Sequence, residues 1–197
     1  MKRIFILIIF LTVSLINLNF AHSISPDVFI QSTVNRASQV LSENISKEEK
    51  IDKLKLIAKE TVDIKGVGYY SLGSARKNLN SEEISSYSSL FENYFLKSFS
   101  SRLAEYTNPE IEVKDKKILN SNYTIVNSVL IATEDRPQIK IDWRVYTKNP
   151  DNPLIRDLII EGLSLARTQK EEFASILNSN DGDINILFKT LEEFSNN

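Results

Sequence analysis

Apolar positions change their spacing twice along this chain, from intervals of three and four to intervals of two and back again. Those changes divide it into helical, extended and helical parts. Val28, Val34, Ala37, Val40 and Leu41 form one stripe behind Ser25-Pro26-Asp27. There a hydroxyl cap, a proline in the first turn and an acid near the positive end of the helix dipole predict a helix start. Ser46-Lys47-Glu48-Glu49 has the form of a capping box, in which hydroxyl and acid each satisfy an orphan backbone donor, and Ile51, Leu54, Ile57 and Ala58 follow it. Asn80-Ser81-Glu82-Glu83 repeats the device ahead of Ile84, Tyr87, Phe91, Phe95, Phe99, Leu103 and Tyr106, which predicts a long helix with an aromatic face ending before Asn108-Pro109. Ser85, Ser86, Ser89 and Asn93 take its polar side and read as solvated surface, since no base stands ready to activate a serine.

Beyond Pro109 the period is two. Segments 111–119, 123–133, 138–146 and 154–161 are rich in β-branched residues and are separated by Asn120-Ser121-Asn122, Asp135-Arg136-Pro137 and Asn149-Pro150-Asp151-Asn152-Pro153. Connections this short imply antiparallel neighbours. Ile139, Ile141, Trp143 and Val145 face one way while Lys140, Asp142, Arg144 and Tyr146 face the other, the pattern of a sheet with one covered face. The tail is helical again: Thr168-Gln169-Lys170-Glu171 is expected to cap a segment with Phe173, Ile176 and Leu177, and Asp183 to open another with Ile186, Leu187 and Leu191. The expected fold is α+β, a twisted four-stranded antiparallel sheet covered by helices, in one domain.

The N-terminus changes that picture by adding a leader. Met1-Lys2-Arg3, the apolar run from Ile4 to Val13 and the stretch from Ser14 to Phe20 give the charged and apolar regions of a secretory signal. Cleavage is expected after Ser23, where Ala21-His22-Ser23 offers small residues at the positions a signal peptidase reads; Ser25 would also serve. An uncleaved anchor is the alternative, although the run is near the short end for a spanning helix. The expected division is 1–23 signal peptide and 24–197 mature domain.

Loss of Lys2 and Arg3 takes the formal charge from −2 to −4, which leaves no basic excess for a phosphate backbone, so no nucleic-acid partner is expected. The chain has no cysteine, and His22, its only histidine, falls in the leader. Thiol nucleophiles, imidazole acid-base steps and most transition-metal sites draw on those two residues, so neither enzyme nor metal site is expected. Three of the five glycines fall in Ile64-Lys65-Gly66-Val67-Gly68-Tyr69-Tyr70-Ser71-Leu72-Gly73, but neither phosphate-loop spacing is present, and a short helix under close backbone approach fits better. Asn180-Asp181-Gly182-Asp183 fails as a calcium loop, because Leu177 and Phe188 fall at ligand positions, and reads as a turn and cap.

Five blocks follow one another in order along the chain: Val62-Asp63 leading to Leu72-Gly73, Phe95-Leu96-Lys97 through Arg102-Leu103-Ala104-Glu105-Tyr106, Ile141-Asp142-Trp143-Arg144-Val145, Asp157-Leu158-Ile159-Ile160-Glu161-Gly162-Leu163-Ser164-Leu165, and Phe173-Ala174-Ser175-Ile176-Leu177. Together they resemble the MlaC family, the periplasmic phospholipid-shuttling proteins also called toluene-tolerance or auxiliary transport proteins. Departures are Ala75-Arg76-Lys77 where the family often carries an aromatic, Asn152-Pro153 in place of Gly-Trp, and Lys170 in place of an arginine.

The resemblance implies a nuclear-transport-factor-like cone with added helices, and a phospholipid whose acyl tails lie in an apolar pocket between sheet and helices. The expected lining is Val67, Tyr70, Phe91, Phe95, Phe99, Leu103, Ile141, Trp143, Val145, Leu158, Ile160 and Leu165. The same stripes would equally make a solid core. The resemblance further implies a periplasmic, monomeric carrier with no cofactor beyond its lipid cargo. Its partners would be an inner-membrane ABC complex and an outer-membrane lipoprotein complex. Asp142, Arg144, Asp157 and Glu161 share the side opposite Trp143, where a cross-strand ion-pair ladder competes with head-group or partner contact. Two other readings stand beside the carrier: a filled-core adaptor that docks proteins, and an isomerase using Asp142 or Asp157 with Tyr70 in an apolar pocket.

Overall fold

The computed structural model describes residues 23–196. The expected signal sequence, apart from Ser23, lies outside the described residues. Helices α1 (Pro26–Ser42), α2 (Lys47–Thr61), α3 (Ile64–Ser71) and α4 (Ser81–Leu103) precede the sheet, with a 3-10 turn at Ala75–Lys77 between the last two. Strands β1 (Ile111–Asn120), β2 (Tyr123–Leu130), β3 (Ile139–Tyr146), β4 (Leu154–Ile160) and β5 (Leu163–Ser164) form one antiparallel meander in chain order, and α5 (Leu165–Asn178) and α6 (Ile184–Asn196) close the chain. Among the described residues no helix is long and apolar enough to cross a membrane.

The caps explain most of the helix starts. Both capping boxes form, at Ser46 with Glu49 and at Asn80 with Glu83. Ser25 does not cap α1 with its side chain; its hydroxyl bonds the Asp27 carboxylate and the Lys116 ammonium instead. Helix α5 starts earlier than Thr168 suggested, because Ser164 Oγ accepts from Arg167 N at 3.1 Å and makes Ser164 the cap.

A fifth strand corrects the expected four. Glu161 (φ 49°) and Gly162 (φ 85°) both turn left-handed, which is the backbone of a two-residue hairpin, and they return the chain so that Leu163 pairs with Ile160. Strand β2 also stops at Leu130 rather than Thr133, because Thr133 and Arg136 pair with each other across the turn into β3.

The aromatic face of α4 serves two different cores. Its first half, Tyr87 and Phe91, packs with Val67, Phe173, Leu187 and Leu191 of α3, α5 and α6. Phe91 and Phe173 meet edge to face at 6.2 Å between centroids. Gly68 lies so close to Phe91 that a Cβ there would sit 2.6 Å from its ring, so this approach needs glycine. Tyr87 donates to Gly68 O at 3.0 Å, and burial pushes its phenol far above the usual range. A second core lies under α1, where Ile30 and Val34 cover Val126, Val145 and Ile155. A third, smaller cluster joins Val40 and Leu41 of α1 to Leu54 and Ile57 of α2.

Candidate functional site

Between the second and third cores the molecule does not fill. A cavity of about 130 Å³ lies there, walled on one side by Val34, Ala37 and Leu41 of α1, by Leu54, Ile57, Ala58 and Thr61 of α2, and by Phe99 and Leu103 of α4. The inner sheet face supplies the other wall through Ile111, Leu130, Ile141, Trp143, Ile155, Leu158 and Ile160. Tyr106 and Pro109, in the link from α4 to β1, bound one end. The lining is almost entirely hydrocarbon, the character of a site for an apolar ligand. Leu103, Phe99, Leu158 and Ile160 are only half-buried, so the lining continues toward solvent.

Its one large polar edge is satisfied. Trp143 Nε1 donates to Ser128 Oγ at 2.8 Å, and that hydroxyl donates to Ile141 O at 2.9 Å. The indole therefore presents only its apolar face to the cavity. A bulge in β4 shapes the same wall. Arg144 pairs with Asp157 but Val145 pairs with Ile155, so Arg156 is an extra residue, and Ile155 and Leu158 both point inward although three positions separate them.

Six of the twelve expected lining residues meet at this cavity: Phe99, Leu103, Ile141, Trp143, Leu158 and Ile160. The other six are placed elsewhere. Val67 and Phe91 are buried in the solid core between α3, α4, α5 and α6, and Phe95 packs against it. Val145 is fully buried beneath α1. Tyr70 is 42% exposed, with the Lys170 ammonium 5.3 Å from its ring centroid. Leu165 opens α5 and does not reach the cavity. The α1 and α2 walls were readable as inward stripes, but no sequence signal separates an inward residue that lines a void from one that fills it.

The charged face opposite Trp143 carries ion pairs and a helix-start contact. Asp157 is buried, accepts from Ser164 Oγ at 2.7 Å and from Ala166 N at 3.0 Å at the start of α5, and lies 3.5 Å from Arg144. Asp142 accepts from Asn127 Nδ2 at 2.6 Å and lies 3.2 Å from Lys140, while Glu161 accepts from Lys140 N. Asp142 and Asp157 thus stand on the far side of the sheet from the cavity and Tyr70 stands outside it, so neither acid meets Tyr70 in this apolar cavity. Among the described residues no cluster of acids or histidines could hold a metal ion.

A wider depression of about 470 Å³ surrounds Asp63, Lys65, Tyr69, Arg76 and Arg156, but it is open to solvent and charged side chains stand in its wall. Arg156 is spoken for within it. It donates to Asp63 and, at 2.7 Å, to the Tyr123 hydroxyl, and its guanidinium stacks 3.8 Å from the Tyr146 ring centroid. Burial works against its charge, and Asp63 and Tyr123 more than offset it, so its pKa stands above the usual arginine value.

The apolar cavity between sheet and helices can be set beside known proteins. The family model described as "MlaC protein" matches residues 31–193. The chain belongs to the MlaC family. Among solved structures it is similar to a phospholipid-binding protein from Ralstonia solanacearum in complex with a phospholipid, with a TM-score of 0.73 at 18% sequence identity, over 87% of this chain and 97% of that one. At that identity the likeness is one of fold, and it extends over nearly the whole MlaC-family domain described above. No curated protein matches the chain.

Proposed function

We propose that this chain is a phospholipid carrier of the periplasm, exported by a signal peptide over residues 1–23 and folded as one lipid-binding domain over 24–197. The observation that carries the reading is the hydrocarbon-lined cavity between the sheet and α1, α2 and α4, open toward half-buried Phe99, Leu103, Leu158 and Ile160. Support also comes from the family and from the Ralstonia protein of the same fold, which holds a phospholipid.

At about 130 Å³ the cavity is near the size that holds one benzene ring and below that of most ligand pockets. Two acyl chains enter only if the wall of α2 and the end of α4 moves away from the sheet. Helix α1 is the fixed wall: Ser38 Oγ donates to Pro109 O at 2.8 Å, and Gln31 Oε1 accepts from Val113 N at 3.2 Å. Helix α2 packs on α1 and α4 and meets the sheet chiefly at its end, where Val62 pairs with Ile155. Outward movement of α2 therefore separates apolar side chains without breaking a sheet hydrogen bond.

Tail burial is worth roughly 0.8 kcal/mol per methylene, on the order of 20 kcal/mol for two chains, which forbids release into water. A membrane or another apolar tunnel offers the tails the same environment, so transfer to such a partner is nearly neutral and needs no fuel in the carrier. The partners in this reading are an inner-membrane ABC complex and an outer-membrane lipoprotein complex. The carrier works as a monomer, without cofactor, turnover or nucleic acid.

The small cavity volume favours a second reading, a filled-core periplasmic adaptor. Native mass spectrometry of protein expressed with its leader separates the two. About one phospholipid per chain is the expected result, and lipid-free protein that refuses lipid from vesicles would establish the adaptor.

A further inference from the structure

We propose that Arg136, in the turn between β2 and β3, binds the phosphodiester of the cargo lipid at the mouth of the acyl cavity; this rests on the carrier reading above. The turn is closed at its base, with Thr133 N donating to Arg136 O at 2.8 Å and Arg136 N to Thr133 O at 3.4 Å. The side chain reaches back over the molecule. Its guanidinium carbon lies 5.5 Å from the Tyr106 ring centroid, and Nη2 donates to Ile131 O at 3.3 Å. Tyr106 lines the cavity, and Ile131 follows Leu130, which lines it too. The cation is thus held between two elements of the cavity rim.

Its bonding is incomplete. Arg136 makes no ion pair among the described residues, although Glu134 and Asp135 are its exposed chain neighbours. Its Nε is shielded from solvent and has no acceptor. A shielded N–H without a partner is costly, and native proteins keep few of them. Nη2 is engaged by Ile131 O and Nε is shielded, so the unpartnered Nη1 is the nitrogen that faces outward and can donate a charge-assisted hydrogen bond to a phosphate oxygen. A lipid whose tails fill the cavity carries its phosphate at the rim, the level at which Arg136 is presented. Unlike Arg144 and Arg156, Arg136 has no carboxylate partner among the described residues.

The test offers delipidated protein vesicles containing phosphatidylethanolamine and diacylglycerol of the same acyl chains in equal amounts, with bound lipid read by native mass spectrometry. Wild type is expected to prefer the phosphate-bearing lipid by about tenfold, the scale of one charge-assisted hydrogen bond. Arg136→Gln is expected to bring the ratio near one, and Arg136→Lys to restore part of it. Tyr106→Leu, which removes the ring under the guanidinium, is expected to shift the ratio the same way if Arg136→Gln fails to fold. A preference unchanged in the variants overturns the assignment while leaving the carrier intact. Uptake of neither lipid by wild type overturns the carrier and the assignment together. Inorganic phosphate alone is expected not to bind the delipidated protein; binding that is lost in Arg136→Gln would assign the site to free phosphate and overturn the lipid role.

Discussion

Asp63 and Arg156 fasten the elbow between α2 and α3 onto β4: Arg156 Nε donates to Asp63 Oδ2 at 2.7 Å, and Nη2 lies 2.6 Å from the same oxygen. The other carboxylate oxygen caps α3, accepting from Gly66 N at 2.8 Å. Beside them Asp63 N donates to Ile155 O at 2.9 Å. One side chain therefore fixes the point about which α2 would move relative to the sheet.

Asp63→Ala should cost roughly 2–3 kcal/mol, since it removes a helix cap and leaves a half-buried guanidinium without its carboxylate. Gly66→Ala should act on the same contact, because its Cβ would come 2.5 Å from Asp63 Oδ2. Urea denaturation monitored by circular dichroism measures both. A loss below about 0.5 kcal/mol for Asp63→Ala would mean that the clamp does not hold the elbow.

The two halves of α4 should separate by function. Phe91→Leu falls in the solid core and should cost about 1–2 kcal/mol while leaving lipid loading as in wild type. Phe99→Ser falls at the cavity and should lower loading with a smaller loss of stability, because Phe99 is half-buried. Melting temperatures beside copurified lipid per chain give the comparison, and equal loading by both variants would show that Phe99 does not line the lipid path.

Filling the cavity should oppose loading without unfolding the chain. Ala58 is buried on α2 and lines the cavity, whose volume is close to that of a benzene-sized void. Ala58→Phe should leave stability within about 1 kcal/mol of wild type, as volume placed in a void offsets strain, and should reduce bound phospholipid severalfold. Full loading of a stable Ala58→Phe protein would place the tails elsewhere.

One surface contact gives a pH signature. Hydrogen bonds from Lys116 and Ser25, chiefly the former, lower Asp27 to a pKa of about 2 from 3.8. A depressed carboxylate stabilises the fold above its unfolded pKa, and that contribution is lost as pH falls from about 3.8 through about 2. Asp27→Asn should therefore be less stable than wild type at neutral pH by under about 1 kcal/mol, given the exposure of the pair, and equal to it in strong acid. Parallel denaturation series at neutral and acid pH check this; a difference that persists unchanged below pH 2 would contradict it.

Much of the fold was legible because its signals are local. The capping boxes at Ser46 and Asn80 and the alternation of Ile139, Ile141, Trp143 and Val145 each depend on a few neighbouring residues. The misses were non-local or irregular. Thr168 looks like a cap but lies one turn inside α5, where its hydroxyl bonds Ser164 O, because the chain had already turned at Glu161 and Gly162. Strict alternation back from Leu158 would put Arg156 inward; the bulge sends Ile155 there instead. The aromatic run on α4 carries no mark where the filled core at Phe91 gives way to the cavity at Phe99, since that boundary is drawn by α5 and α6 packing on one half alone.

The location of the tails is tested most directly by loading the protein with a phospholipid that carries a diazirine on one acyl chain, irradiating it, and mapping the labelled residues by mass spectrometry. Labels on Phe99, Leu103, Trp143 or Leu158 and their neighbours along the wall of α1 and α2 are the expected result. Labels concentrated on Phe91, Phe173 or Leu187, or spread over the exposed surface, would contradict it.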